Sequence, residues 1–249
     1  LTRARVALGR AGVSLPTREV LRFGTAHAQA RDAVHQALDV ATLQADLADA
    51  GFTSLTVHSQ AADRGMYLRR PDMGRRLAPD SLALLGEQGR RLWSPHPPLA
   101  VVLADGLSSL AMAHHGLPLL QALLPYFPDL PGLPVIIANQ ARVALGDEIG
   151  HALGAALVVV MIGERPGLSS PDSLGLYLTA RPRPGLTDAE RNCISNVRPE
   201  GLPYADAARK LAFLMAGAHR LGRTGVDLKD DSDAAPALTD SPYPGLASP

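Results

Sequence analysis

Cysteine is nearly absent: the 249 residues contain one, Cys193. A lone thiol cannot close an internal disulfide, and it leaves no cysteine pair at a metal-ligand spacing, which fits a reducing cytosol. Net charge is missing too, since 24 Lys+Arg balance 24 Asp+Glu, so no global field favours nucleic acid or an anionic membrane. Any partner has to be recognised locally. Aromatic residues make up 4% of the chain, and the single tryptophan, Trp93, reads as a packing residue rather than a stacking platform. The longest apolar runs, such as Leu157 to Ile162, fall far short of the about 20 residues that span a bilayer, and no signal-like segment opens the chain. The sequence starts at Leu1 rather than methionine, so it reads as a fragment or trimmed chain whose targeting peptide could lie outside it.

Several catalytic motifs are also missing. No Gly-x-Gly-x-x-Gly follows a strand and no Walker-type phosphate loop occurs. The segment Gly106-Leu107-Ser108-Ser109-Leu110 lacks the second glycine of a hydrolase nucleophile elbow. His114 and His115 are adjacent, so their side chains diverge on a helix, which favours a satisfied or exposed pair over a metal site.

What is present is a hydrophobic content of 46%, enough to bury a full core. A basic arm with Arg3, Arg5 and Arg10 leads into helical spacing from Thr17 to about Ala50, read as one or two amphipathic helices. A short strand follows in "GFTSLTVHSQ", then a helix from Leu82 to Trp93. The second half alternates the apolar runs "PLAVVLAD", "LPVIIANQ" and "ALVVVMIGE" with helices at about 107–124 and 144–153, and a last helix spans Tyr204 to Leu221. Continuous apolar runs indicate strands covered on both faces, and their alternation with helices indicates a parallel, doubly wound sheet. The expected organisation is an arm, helices and a short strand over 1–95, a Rossmann-like lobe over 96–225, and a disordered tail over 226–249.

In such a sheet, ligands bind outside the carboxyl ends of the strands. Three segments are expected there: Asp105 to Ser108, Asn139 to Val143, and Gly163 to Gly167. Glu164 offers acceptor oxygens for amide or hydroxyl donors; the alternative is a solvated turn in which Glu164 and Arg165 form a surface ion pair. The arginine-dense "LRRPDMGRRL", Leu68 to Leu77, suits either a subunit interface or an internal ion-pair network.

Five blocks together resemble a known family. "RPDMGRRL" (Arg70 to Leu77), "DGLS" (Asp105 to Ser108), "GERPGL" (Gly163 to Leu168), "DSL" (Asp172 to Leu174) and "CISN" (Cys193 to Asn196) occur in the order and at about the spacing of the small subunit of ethanolamine ammonia-lyase. Family members usually carry a variable N-terminal extension that this sequence lacks. The resemblance implies an α/β subunit with a Rossmann-like lobe that holds adenosylcobalamin against a large subunit, a TIM barrel where ethanolamine becomes acetaldehyde and ammonia. It further implies a higher hetero-oligomer in the cytosol, leaving enclosure in a bacterial microcompartment open, with no nucleic-acid or membrane partner. The family's cofactor contacts fall on Val143, Glu164 and Cys193, and the chain is expected to supply no catalytic or metal-binding residue. An Asp-x-His-x-x-Gly motif is absent ("AHHG" at Ala113 to Gly116 lacks the aspartate), so base-on cobalamin is expected. Two other readings compete: a stand-alone Rossmann-like enzyme using Asp105 and Glu164 as acid and base, and a non-catalytic assembly subunit without cofactor contact.

Overall fold

Four short apolar runs build the framework of the computed structural model, which describes residues 8–168 and 172–233. Strands β1 (Ser54–His58), β2 (Leu99–Ala104), β3 (Val135–Asn139) and β4 (Leu157–Gly163) lie parallel in the order β1-β3-β2-β4. Every residue of β2 and β4 is buried. That is the consequence of cover on both faces, and it is why these strands read as unbroken apolar runs.

The sheet does not stop at β4. Strand β5 (Leu174–Ala180) pairs antiparallel with β4, and β6 (Arg191–Val197) pairs antiparallel with β5, completing six strands in the order β1-β3-β2-β4-β5-β6. The fold is therefore α/β with a mostly parallel sheet, as expected, extended by a hairpin that the apolar pattern does not reveal. Asn192, Ser195 and Asn196 break up β6, and Gly175 interrupts β5.

Helices cover the two faces unequally. On one face, α2 (Val40–Asp49), α6 (Ser109–Ala122) and α8 (Tyr204–Leu221) bury Leu47, Met112, Leu119, Leu211 and Met215 against Val101, Val159 and Leu176. Each such side chain contributes about 1.5–3 kcal/mol on leaving water. Ser108 caps α6 by accepting from the Ala111 N–H at 3.2 Å, and Gly222 ends α8 in the left-handed region. On the other face, α7 (Leu145–Leu153) and the helical stretch before β2 bury Leu85, Trp93, Leu145 and Ile149 against Val102, Val158 and Val160. That stretch begins earlier than the expected Leu82: α4 (Pro79–Leu84) starts with proline in its first turn, where no N–H is needed. It then widens into a π turn at Leu85–Gly89 and ends as α5 (Arg90–Leu92).

The N-terminal helix α1 (Thr17–His35) buries only Ala26 and Ala33. Helix α3 (Arg64–Arg69), capped by the Asp63 side chain, follows β1 and was not evident in the sequence. No helix of the described residues is long and apolar enough to cross a membrane. Past α8 the chain folds back: Leu228 is buried over Gly217, where a Cβ would lie 2.6 Å from its Cδ1, and the Asn192 side-chain amide donates to the Leu228 carbonyl at 2.8 Å. Arg3, Arg5 and residues 234–249, the bulk of the expected tail, lie outside the described residues.

Candidate functional site

The carboxyl edge of the parallel strands is where a ligand crevice is expected, but at β2 it is filled from within. Asp105 is buried and accepts from the Gln140 N–H at 2.9 Å, the Ala141 N–H at 3.0 Å and Arg64 Nη1 at 3.2 Å. Burial pushes its carboxyl above the usual range, opposed by the Ala141 N–H and the Arg64 charge. The β2–β4 crevice is closed by backbone: a Cβ on Gly106, which has φ +58°, would lie 2.2 Å from the Gly163 carbonyl oxygen. Asp105 is thus a staple between β2 and the loop after β3, and it has no access for an acid or base role.

The same loop is held from its other side by the arginine-rich block. The Arg142 N–H donates to the Gly74 carbonyl at 2.8 Å, and the Arg142 guanidinium lies 4.3 Å from the Tyr67 ring centroid. Tyr67 is fully buried, its hydroxyl pushed up to about 12 by that burial, and it donates to the Ala141 carbonyl at 3.1 Å. Val143 therefore sits at the end of a segment fixed by Asp105, Gly74 and Tyr67. Within the block itself, Arg70 makes an exposed pair with Asp72 and Arg76 one with Glu148, which is the internal ion-pair reading, whereas Arg75 has no ion pair among the described residues.

The remaining edge, over β4, β5 and β6, is open. Glu164 follows β4 and is half-buried; its Oε2 accepts from the Ser173 hydroxyl at 2.6 Å, and its two oxygens lie 3.3 and 3.2 Å from the Asn196 N–H. The Glu164 N–H in turn donates to the Ser173 carbonyl at 2.9 Å. A carboxylate has about four lone-pair sites, so acceptor capacity remains. Gly175, buried on β5, lets both side chains close over the strand: a Cβ there would sit 3.1 Å from both Glu164 Oε1 and Tyr177 Cε2.

Register extends this strip across the sheet. Val160 faces Tyr177 and Tyr177 faces Cys193 in adjacent strands. Helix α7 comes down on Val160 at Gly146, whose Cβ would meet Val160 Cγ2 at 2.2 Å, and Val143 lies one helical turn ahead of that contact, with its carbonyl bonded to the Gly146 N–H. Val143 packs partly buried against the same cluster as Tyr177. The structure thus brings Val143, Glu164 and Cys193 to one side of the β4–β6 edge. Cys193 and Ser195 are exposed there, with Sγ and Oγ 3.3 Å apart. Burial raises the Tyr177 hydroxyl, with Cys193 and then Glu164 adding to the shift.

Tyr177 and Gly175 join this face without having been singled out from the sequence, and Asn196 was marked only as the end of the "CISN" block. The signal available for them was proximity to "DSL" and "CISN". The face offers a carboxylate, a hydroxyl and a thiol beside partly apolar surface, groups able to accept from amide or hydroxyl donors. It holds no nucleophile–base pair, since Cys193 has no histidine among its described hydrogen-bond and ion-pair partners.

Residues 1–229 match the family model described as ethanolamine ammonia-lyase light chain (EutC). The chain belongs to the ethanolamine ammonia-lyase light-chain family. It is 55% identical over 238 residues to the ethanolamine ammonia-lyase small subunit of Ralstonia nicotianae, an alignment covering 94% of this chain and 87% of the relative. It is likewise 55% identical over 237 residues to the small subunit of Azotobacter vinelandii, with the same coverage of 94% and 87%. The small subunit of Pseudomonas fluorescens SBW25 is 53% identical over 247 residues, covering 97% of this chain and 88% of the relative. The light-chain match therefore takes in all three sides of the site: the Gly74 support, the Asp105 staple and the Glu164–Cys193 face.

Proposed function

We propose that this chain is the small subunit of an adenosylcobalamin-dependent ethanolamine ammonia-lyase, which converts ethanolamine to acetaldehyde and ammonia with a large subunit. In this reading residues 96–225 form the cobalamin-binding lobe and 1–95 its support, in a cytosolic hetero-oligomer. The observation that supports it most is the gathering of Val143, Glu164 and Cys193, which come from three separate stretches of the chain, along one side of the β4–β6 edge.

Adenosylcobalamin, when bound, would supply the radical chemistry. The chain's own residues bind and orient. Glu164 accepts from amide donors at the corrin rim with the oxygen capacity left by Ser173 and Asn196, Val143 supplies an apolar contact beside α7, and Cys193 supplies a polarizable one on β6. The large subunit, closing over Cys193 and Ser195, would exclude water from a face that is otherwise exposed there. Substrate and the reacting atoms lie on the large subunit's side.

The test is cobalamin affinity of the assembled complex. Glu164→Ala loses a hydrogen bond to a charged group and weakens binding by about 1.5–3 kcal/mol, roughly ten- to a hundredfold. Glu164→Gln keeps one acceptor oxygen and has a milder effect. Circular dichroism stays unchanged in both, because the residue lies beyond the packed strand. Equal affinity of wild type and Glu164→Ala contradicts the reading.

A second expectation concerns assembly. Arg75 is exposed and Arg76 holds only a solvent-exposed pair, which contributes about 0–1 kcal/mol to the fold. Replacing either by Ala leaves the fold intact and weakens association with the large subunit by about 2–5 kcal/mol, as for truncation of a charge buried at an interface. Co-purification through a tag on the large subunit reads this out; undiminished recovery of both variants removes the block from the interface.

A further inference from the structure

A second group of ligating atoms converges away from the Glu164–Cys193 face, where α6 meets the connection into β5. His114 Nδ1, His115 Nε2 and an Asp172 oxygen lie within 4.8 Å of one another. Asp172 Oδ2 is 3.4 Å from His115 Nε2 and 3.6 Å from His114 Nδ1. Zinc bonds of about 2.0–2.2 Å in a tetrahedral arrangement place neighbouring ligand atoms about 3.3–3.5 Å apart. Both carboxylate–imidazole separations fall close to that edge length, and the two imidazole nitrogens lie within 4.8 Å of each other.

His115 is prepared for such a role. Its side chain is 9% exposed, Nδ1 lies 2.7 Å from the Tyr204 hydroxyl, and Nε2 is buried with no hydrogen-bond partner among the described residues. A partner on one ring nitrogen fixes the ring and aims the other nitrogen at a metal. The two rings meet edge to face at an interplanar angle of 78°, and half-exposed His114 already directs Nδ1 toward the same carboxylate oxygen. Arg198 approaches the other oxygen, Oδ1, at 3.7 Å and leaves Oδ2 to the imidazoles. Its charge limits affinity, with Glu200 at 3.9 Å offsetting part of it.

We propose that His114, His115 and Asp172 form a binding site for a zinc-class divalent ion, with three protein ligands and water in the fourth position. The site joins α6 to the connection between β4 and β5, and it stands independently of the cofactor reading.

The test uses the full chain, stripped with a chelator and titrated with Zn2+ alone by calorimetry. Saturable binding of a single equivalent is expected, weakened at least about tenfold in His114→Ala, His115→Gln and Asp172→Asn, and about ten- to a hundredfold in Tyr204→Phe. His114→Ala alters an exposed side chain, so the result survives even if the buried variants misfold. Cys193→Ser binds as wild type does, which sets aside capture by the thiol. Absence of saturable binding, wild-type affinity in His114→Ala and Asp172→Asn, or loss of binding in Cys193→Ser each overturns the site.

Discussion

Arg191→Ala is expected to destabilise the fold by about 3–5 kcal/mol, a fall in Tm of about 6–20 °C. Arg191 opens β6, is buried, and donates to Asp147 on α7, to Asp188 at 2.9 Å and to the Leu186 carbonyl at 3.1 Å. It is the tie that holds the hairpin of β5 and β6 to the helix leading from Val143. Removing the guanidinium leaves the Asp147 carboxylate buried without its cation, and that uncompensated charge is the source of the loss. Replacing both partners by apolar residues of similar volume, Asp147→Leu with Arg191→Met, should recover most of it, because the ion pair barely offsets its own desolvation. Thermal denaturation of the single and double variants checks this; a double variant as unstable as Arg191→Ala contradicts it.

The pair also sets a pH dependence. Burial pushes Asp147 up to about 6, with Arg191 opposing the shift. A carboxyl whose folded pKa is raised contributes stability that is fully present below its unfolded pKa and is lost as pH rises through about 6. The stability profile of wild type therefore carries a downward component between about pH 4 and 6. That component is absent in Asp147→Asn.

Asp105→Ala is the other large effect, again about 3–5 kcal/mol. It strands the Arg64 guanidinium, 10% exposed, and leaves the Gln140 and Ala141 N–H groups without their acceptor. The consequence reaches function, since those two residues lead directly into Arg142 and Val143. Cobalamin affinity of the complex should fall along with Tm, whereas Glu164→Ala, which frees only the Ser173 hydroxyl and the Asn196 N–H, lowers affinity with a smaller change in Tm. An Asp105→Ala variant with wild-type Tm would show that the staple does not hold the loop.

The parallel half of the fold was legible because burial on both faces leaves only one composition open to β2, β3 and β4, and because α8 carries its stripe from Tyr204 to Leu221 without interruption. Strands β5 and β6 were not legible for the opposite reason. Exposed Cys193, Ser195 and Asn196 on β6, and buried Gly175 within β5, stand where an apolar pattern would otherwise appear. The site divided in the same way. Glu164 could be read from the break between an apolar strand and a charged turn, whereas Asp105, at an equally suggestive strand end, proved to be a buried staple, because nothing in its local sequence announces Arg64 or the loop at Gln140. Val143 and Cys193 came only from the family resemblance: an isolated valine and an exposed cysteine carry no signal until register and the Gly146–Val160 contact place them along one strip.

The most direct measurement of the cofactor reading is the structure of the chain assembled with its large subunit and cobalamin. The corrin should lie over the β4–β6 edge, with an amide nitrogen within hydrogen-bonding distance of the Glu164 carboxylate, and with Val143 and Cys193 in van der Waals contact with the cofactor. A corrin bound with Glu164 still facing solvent and Cys193 out of contact would contradict it.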